Sequence, residues 1–488
     1  MPVATASPLP EGYGIHANDS VCRDVVIAFP VMIRGEGVSM GNFGRGDIRL
    51  DRRGEMVLNG IVGSGSLVLR KALGSRAGEI AAHRFLDNSA VTHETIIDGC
   101  AERTRKAAQG RVVIAVQDTT EINFSGRDRS RTGLGPAGDG KSLGFFIHPL
   151  LAVDAGDEAV LGLVQARIWT RSQELLASRK RRPIQDKESI RWIEATQCAK
   201  ERLAGASRIV AVADREGDIY DHFANVPAAI DLIVRAAQDR KLAGGGTLFS
   251  AATGFGEGFM AEVKVPPKGP GTKARTALVR LRAGPVSLVR SGHAKRKNNR
   301  ETLLLTLVEV REIDAPAGVT PLHWRLLTTL PADSQAAKET IVRYYRLRWR
   351  IEQLFRVLKS DGLRLEDTQL EAKHRLFKLS ALALEASSRL IQLTDARDGG
   401  PRPATDCLDA ALIEPAAAIG QSLEGKTVRQ QNPHAQGTLA WLAWIAARLG
   451  GWNCYYKPPG PKTMAAGWRR LCERLEGFLL AREIEANV

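Results

Sequence analysis

Three carboxylates far apart in the chain have the surroundings of a hard-cation site. Asp118 closes the apolar run at 112–118, and Asp214 closes a second one at 208–214. Continuous short apolar runs of this kind are expected of strands covered on both faces, and ligands gather where such strands end. The third carboxylate, Glu352, lies in the segment YYRLRWRIEQLFRVLK at 344–359. At about 100° per residue, Tyr345, Arg348, Glu352 and Lys359 fall within an arc of roughly 60° on one helix face. Brought together, three carboxylates form an all-oxygen site for Mg²⁺ or Mn²⁺, the apparatus that moves phosphodiester bonds. Arginine, lysine and tyrosine beside them are the donors a phosphate would need. Taken alone, Glu352 reads equally as a solvated helix residue in an i,i+4 pair with Arg348.

Those elements have to be positioned by a larger fold. Leu347, Ile351, Leu354, Phe355 and Leu358 make an apolar face beside the charged one, so the helix is expected to anchor itself in a core. Strands dominate 112–235, with a helix near 188–203, paired strands at 145–153 and 160–169, and a helix at 218–223. This order predicts an α/β fold with a ribonuclease H-like sheet. Residues 236–330 read as a β-rich insertion with strands at 277–282, 302–310 and 324–329. The basic loop Lys295, Arg296, Lys297 and Arg300 inside it reads either as a phosphate-tracking element or as a solvated hairpin tip. Residues 43–110 and 373–488 read as helical. Residues 1–42 are rich in glycine, proline and small residues and predict a poorly ordered arm.

Bulk properties agree with a globular protein that meets a polyanion. At 488 residues, two or three domains are expected. Hydrophobic residues make up 44%, and mean hydropathy is −0.17. No apolar run approaches the roughly 20 residues of a membrane span, and no secretory signal is evident, so a cytoplasmic protein without a membrane partner is expected. Lys and Arg number 69 against 54 Asp and Glu, a net charge of +15 with a pI near 9.7. That balance favours nucleic acid. The six cysteines include no CxxC pair, which points away from a disulfide framework or a zinc site.

The residue pattern Tyr345, Arg348, Glu352 and Lys359 resembles the Tyr-Arg-Glu-Lys signature of bacterial cut-and-paste DDE transposases of the IS-four family, in particular its Tn-five (IS-fifty) branch. VQDTTEINF around Asp118 and VADREGDIYD around Asp214 are similar to the first- and second-aspartate motifs of that family. AHRFLDN at 82–88, GLGPAGDGKSLGFFIHPLLAV at 133–153, and Lys187, Glu188, Ser189 and Trp192 extend the similarity over nearly all of 43–488. One departure is Gly46-Asp47-Ile48-Arg49-Leu50, which lacks the second arginine of the family pattern.

The resemblance implies a ribonuclease H-like core at 111–372 with a β-rich insertion, an N-terminal DNA-binding domain at 43–110 and a C-terminal helical dimerisation domain at 373–488. It further implies two divalent ions on Asp118, Asp214 and Glu352, and phosphate contacts from Tyr345, Arg348 and Lys359. The partners it implies are transposon terminal inverted repeats, target DNA and a second copy of the chain. Trp324 corresponds to an aromatic that stacks on a flipped base, and Arg235 to a basic residue near it; a core tryptophan is the other reading. Trp441, Trp444, Ile445 and Leu449 form a stripe suited to a dimer contact or to the chain's own core.

Residues 135–142, GPAGDGKS, satisfy the phosphate-loop pattern, which would make the chain a nucleotide hydrolase. A phosphate loop needs a strand before it and a helix after it. Here a polar stretch precedes and a strand-like run follows, which argues against that function. The remaining alternative is a DNA-binding protein without catalysis, against which all three carboxylates count.

Overall fold

In the computed structural model the structure describes residues 43, 46–124, 131–138, 140, 142–171, 187–265, 274–290, 300–360, 362–408, 410–455 and 457–486. Four helices come first: α1 (Ile48–Ser64), α2 (Leu69–Leu73), α3 (Arg76–Asp87) and α4 (His93–Ala107). Strands β1 (Val112–Gln117), β2 (Thr120–Asn123), β3 (Gly135–Ala137), β4 (Ser142–Asp154) and β5 (Val160–Trp169) follow. Next come α5 (Ile190–Arg202), β6 (Arg208–Ala213), α6 (Tyr220–Ala224), β7 (Ile230–Arg235) and α7 (Leu248–Ala251). Strands β8 (Phe259–Val265), β9 (Arg275–Val289), β10 (Thr302–Glu312) and β11 (His323–Thr328) complete the sheet. The chain ends in helices α8 (Gln335–Arg346), α9 (Trp349–Lys359), α10 (Lys373–Ala396), α11 (Ile413–Leu423), α12 (Leu439–Leu449) and α13 (Pro461–Ala486).

One mixed sheet organises these elements, in the order β2-β4-β1-β6-β7-β11-β10-β9-β8, with β3 and β5 also paired to β4. Strands β1, β6 and β7 are parallel, and the other pairings are antiparallel. The β1 sequence VVIAVQ explains its central place. Val113 and Ala115 face one core with α5 and α6, while Ile114 and Val116 face the other with the long helices. A strand buried on both sides needs apolar residues at every position, and parallel strands covered by helices have that requirement.

The strands expected as an insertion are present, β9 and β10 longer than expected and β11 of the expected length, and β11 pairs with β7. They therefore extend the central sheet. The basic loop at 295–297 lies outside the described residues, as do residues 1–42 and Lys141. Gly135–Ala137 and the strand from Ser142 form an antiparallel hairpin, so this segment lacks the following helix that a phosphate loop requires.

The first and last helical segments of the chain pack together. Helix α10 is buried along almost its whole length, with α1, α3, α4, α9, α12 and α13 against it. Trp441, Trp444, Ile445 and Leu449 are all buried within this chain. The apolar stripe is thus taken up by the chain's own core.

Candidate active site

Strand register brings the two aspartates level. Val112 pairs with Arg208 and Val116 with Val212 in the parallel β1–β6 ladder. The same offset of 96 residues carries Asp118 opposite Asp214, each one position beyond its strand. Both carboxylates are tied to the turn that follows. The Thr119 backbone N–H donates to Asp118 Oδ1 at 2.7 Å, and that of Glu216 donates to Asp214 Oδ1 at 2.8 Å.

The third carboxylate arrives on a broken helix. The single helix expected over 344–359 is two, because Leu347 and Arg348 donate to the carbonyls of Tyr344 and Tyr345 in i→i+3 bonds between α8 and α9. Such a turn winds about 120° per residue where an α-helix winds about 100°, so the wheel that grouped all four signature residues does not continue across it. Tyr345 is buried and the side chain of Glu352 is 58% exposed, yet both still meet Arg348. Of the apolar face, Leu347, Ile351, Leu354 and Leu358 are buried as expected, and Phe355 is half-buried.

Arg348 joins the pieces. Its Nη1 donates to Asp118 Oδ2 at 3.2 Å and its Nη2 to Glu352 Oε1 at 3.0 Å, while Nε is buried without a hydrogen-bond partner. Burial, the neighbouring Asp214 charge and, more weakly, Glu352 push the Asp118 carboxyl up to about 7, against the hydrogen bond from Thr119 and the charge of Arg348. Burial also raises the Tyr345 hydroxyl, which interacts with the guanidinium groups of Arg348 and Arg235.

The remaining expected residues fall around this cluster. Arg235, the last residue of β7, also donates to the His323 carbonyl at 3.1 Å. Trp324 is 4% exposed and stands edge-on to Tyr345, with ring centroids 5.1 Å apart, the arrangement of a core tryptophan. Lys359 donates to the Glu121 carbonyl at 2.8 Å and pairs with Glu366 at 3.4 Å, which fastens the end of α9 to β2.

A preformed ion cage is absent from this arrangement. Among the described residues no three or more His, Cys, Asp or Glu side chains are grouped so as to hold a metal ion. Asp118 and Glu352 instead share one guanidinium. The donor set nevertheless suits a divalent cation, since every candidate ligand is a hard oxygen.

Sequence reading missed a set of buried and, at Thr119, half-buried polar residues behind the aspartates: Gln117, Thr119, His148, Arg191, Thr196 and His222. A histidine inside the apolar run GFFIHPLL is the local signal that could have exposed it.

No helix among the described residues is long and apolar enough to cross a membrane. Residues 179–386 match the family model of the transposase DDE domain, a span that includes Asp214, Arg235, Trp324 and the whole of 345–359, with Asp118 upstream of it. Over that stretch the chain is similar to transposase DDE domains, and the match supports an enzyme of metal-dependent DNA cleavage.

Proposed function

We propose that the chain catalyses cut-and-paste transposition of an insertion sequence, with Asp118, Asp214 and Glu352 as its catalytic carboxylates. The observation that carries this reading is the level placement of Asp118 and Asp214 at adjacent parallel strand ends, with Glu352 linked to Asp118 through Arg348. The three carboxylates would hold two Mg²⁺ or Mn²⁺ ions, which activate the attacking oxygen and stabilise the leaving one during in-line displacement. No protein nucleophile takes part.

The chain's own task is then to hold phosphates and scissile strand. Arg348 has an unused buried donor and two carboxylate partners that a cation can take over, which suits it to move onto a phosphate oxygen. Tyr345 interacts with that guanidinium and with the one of Arg235, and Trp324 backs Tyr345; stacking of Trp324 on a base requires its edge to be uncovered first. Lys359 and Tyr345 complete the set assigned to the transposon end. By resemblance, water first releases a 3′-hydroxyl at that end. The hydroxyl attacks the opposite strand to form a hairpin, and after the hairpin opens it joins to target DNA. Residues 43–110 are assigned to end binding and residues 373–488 to pairing of two copies.

A plasmid carrying the element's own ends tests the assignment. Asp118→Ala and Glu352→Ala should each abolish cleavage in Mg²⁺ while gel-shift affinity for the end stays within about threefold of wild type. Cleavage that survives either substitution would remove that residue from the catalytic set.

A further inference from the structure

A ring of buried and part-buried hydrogen bonds runs behind the two aspartates and joins the segments that carry them. Arg191 Nε donates to Thr119 Oγ1 at 2.8 Å, and Thr119 Oγ1 stands 2.9 Å from His148 Nδ1. His148 Nε2 lies 3.1 Å from Gln117 Oε1, and Gln117 Nε2 donates to Thr196 Oγ1 at 2.9 Å. Thr196 Oγ1 is 2.8 Å from His222 Nε2, whose Nδ1 faces the Gly217 carbonyl at 3.1 Å. Arg191 Nη2 closes the ring on Glu216 at 2.8 Å. Gln117 and Thr119 flank Asp118, while Glu216 and Gly217 form the turn after Asp214, so the ring begins and ends at the two candidate ligands.

The polarity of the ring follows from its ends. A carbonyl can only accept, so His222 carries its proton on Nδ1 and accepts at Nε2 from the Thr196 hydroxyl. Gln117 Oε1 likewise only accepts, so His148 donates from Nε2 and accepts at Nδ1 from the Thr119 hydroxyl. Both imidazoles are held neutral by burial, which pushes His222 down to about 4 and His148 well below its ordinary value. The Thr196 hydroxyl also lies 3.0 Å from the Trp192 carbonyl and has one proton for the two acceptors; with that proton on His222, every member donates in one direction, from the Arg191 guanidinium to the Gly217 carbonyl. Where such a network is buried, at Gln117, His148, Thr196 and His222, it is rigid, because a shift of one member strands a buried donor or acceptor elsewhere. Gln117, His148, Thr196 and His222 are all at most 2% exposed, and an apolar core alone would not need them.

We propose that Thr119, His148, Gln117, Thr196, His222 and Arg191 act as positioning residues, a directional hydrogen-bond ring that keeps the strand ends carrying Asp118 and Asp214 level, so that both can reach a shared divalent cation. The proposal rests on the metal reading of that site. None of the six touches the cation or the DNA; they act through the two strand ends.

The test uses the full chain without DNA and with Mn²⁺ as probe, its free concentration followed by electron paramagnetic resonance. Thr119→Val should weaken the Asp118-dependent Mn²⁺ binding at least fivefold, Thr119→Ser should stay within twofold of wild type, and Arg191→Lys should weaken binding as Thr119→Val does. Wild-type affinity in folded Thr119→Val or Arg191→Lys overturns the proposal. Mn²⁺ binding by the wild type that ignores Asp118→Asn would instead overturn the metal reading beneath it. A second readout needs no variant to retain its fold under load. In ¹⁵N-histidine spectra of the wild type at pH 7, assigned with His148→Gln and His222→Gln, His148 should be the Nε2–H tautomer and His222 the Nδ1–H tautomer. Any other pair of states means that the ring does not run as described.

Discussion

The Arg348 guanidinium donates to the Asp118 carboxylate at 3.2 Å across 230 residues of chain, and its other amino group holds Glu352. One positive side chain thus stands between two carboxylates of opposite chemical assignment to its own. Its side chain is only 12% exposed, so the contact is shielded from water, yet burial and the Asp214 charge outweigh it and keep the Asp118 carboxyl raised.

On the proposed assignment, Arg348 and a divalent cation would compete for the same two carboxylates. Arg348→Ala should therefore tighten Mn²⁺ binding in the absence of DNA by about tenfold, or ~1.4 kcal/mol. On end DNA the same substitution should lower hairpin yield more than it lowers nonspecific binding. Calorimetric titration and a hairpin assay on a pre-nicked end measure the two effects. Unchanged metal affinity would mean that the guanidinium is no competitor, and unchanged hairpin yield would remove its assigned role.

Asp118 makes the metal-free fold sensitive to pH. Burial and the Asp214 charge raise its carboxyl from 3.8 to about 7. A raised carboxyl favours the fold while protonated, so its contribution is present below about pH 4 and is lost as pH rises through about 7. In EDTA at pH 8, Asp118→Asn should be more stable than wild type by about 1–2 kcal/mol, with the difference shrinking towards pH 4. Urea midpoints at the two pH values decide this; equal midpoints at pH 8 would contradict the raised carboxyl.

Glu385 has the opposite sign. It lies in the middle of α10 and accepts from Arg103 at 2.7 Å and from Arg389 at 3.1 Å. Burial alone would raise its carboxyl, but the two guanidinium charges outweigh burial and hold it at about 2. Its contribution is thus complete above its ordinary value of 4.5 and is lost as pH falls through about 2. Glu385→Ala leaves two arginines buried without their shared anion and should cost roughly 3–5 kcal/mol at pH 7. Chemical unfolding at pH 7 and pH 3 should find that penalty smaller at the lower pH. A loss under about 1 kcal/mol at pH 7 would show that the triad is dispensable to the helical layer.

Much of this molecule is readable from local pattern. The apolar runs before Asp118 and Asp214 are strands to within a residue, since a doubly covered strand leaves no room for polar side chains along its length. The hairpin at 142–169 follows from the same alternation and length. The apolar face of 347–358 is buried at four of its five positions. By contrast, the turn between α8 and α9 carries neither glycine nor proline, and nothing in its residue types announces it.

Partner choice was beyond such patterns. Trp324 and the Trp441–Leu449 stripe are as suited by type to a base or a second subunit as to a core, and only packing against Tyr345 and against α10 and α13 assigns their faces. The same holds for the hydrogen-bond ring, whose members come from four separate stretches of chain. Residue order dictated which segments would be strands or helices and that carboxylates would end two of them, because backbone period and side-chain burial are coupled locally. The 96-residue register that sets Asp118 beside Asp214, and the guanidinium lodged between Asp118 and Glu352, were settled by the assembled sheet and helices. Contacts between distant residues depend on how whole surfaces fit together, and no single stretch of chain contains that information.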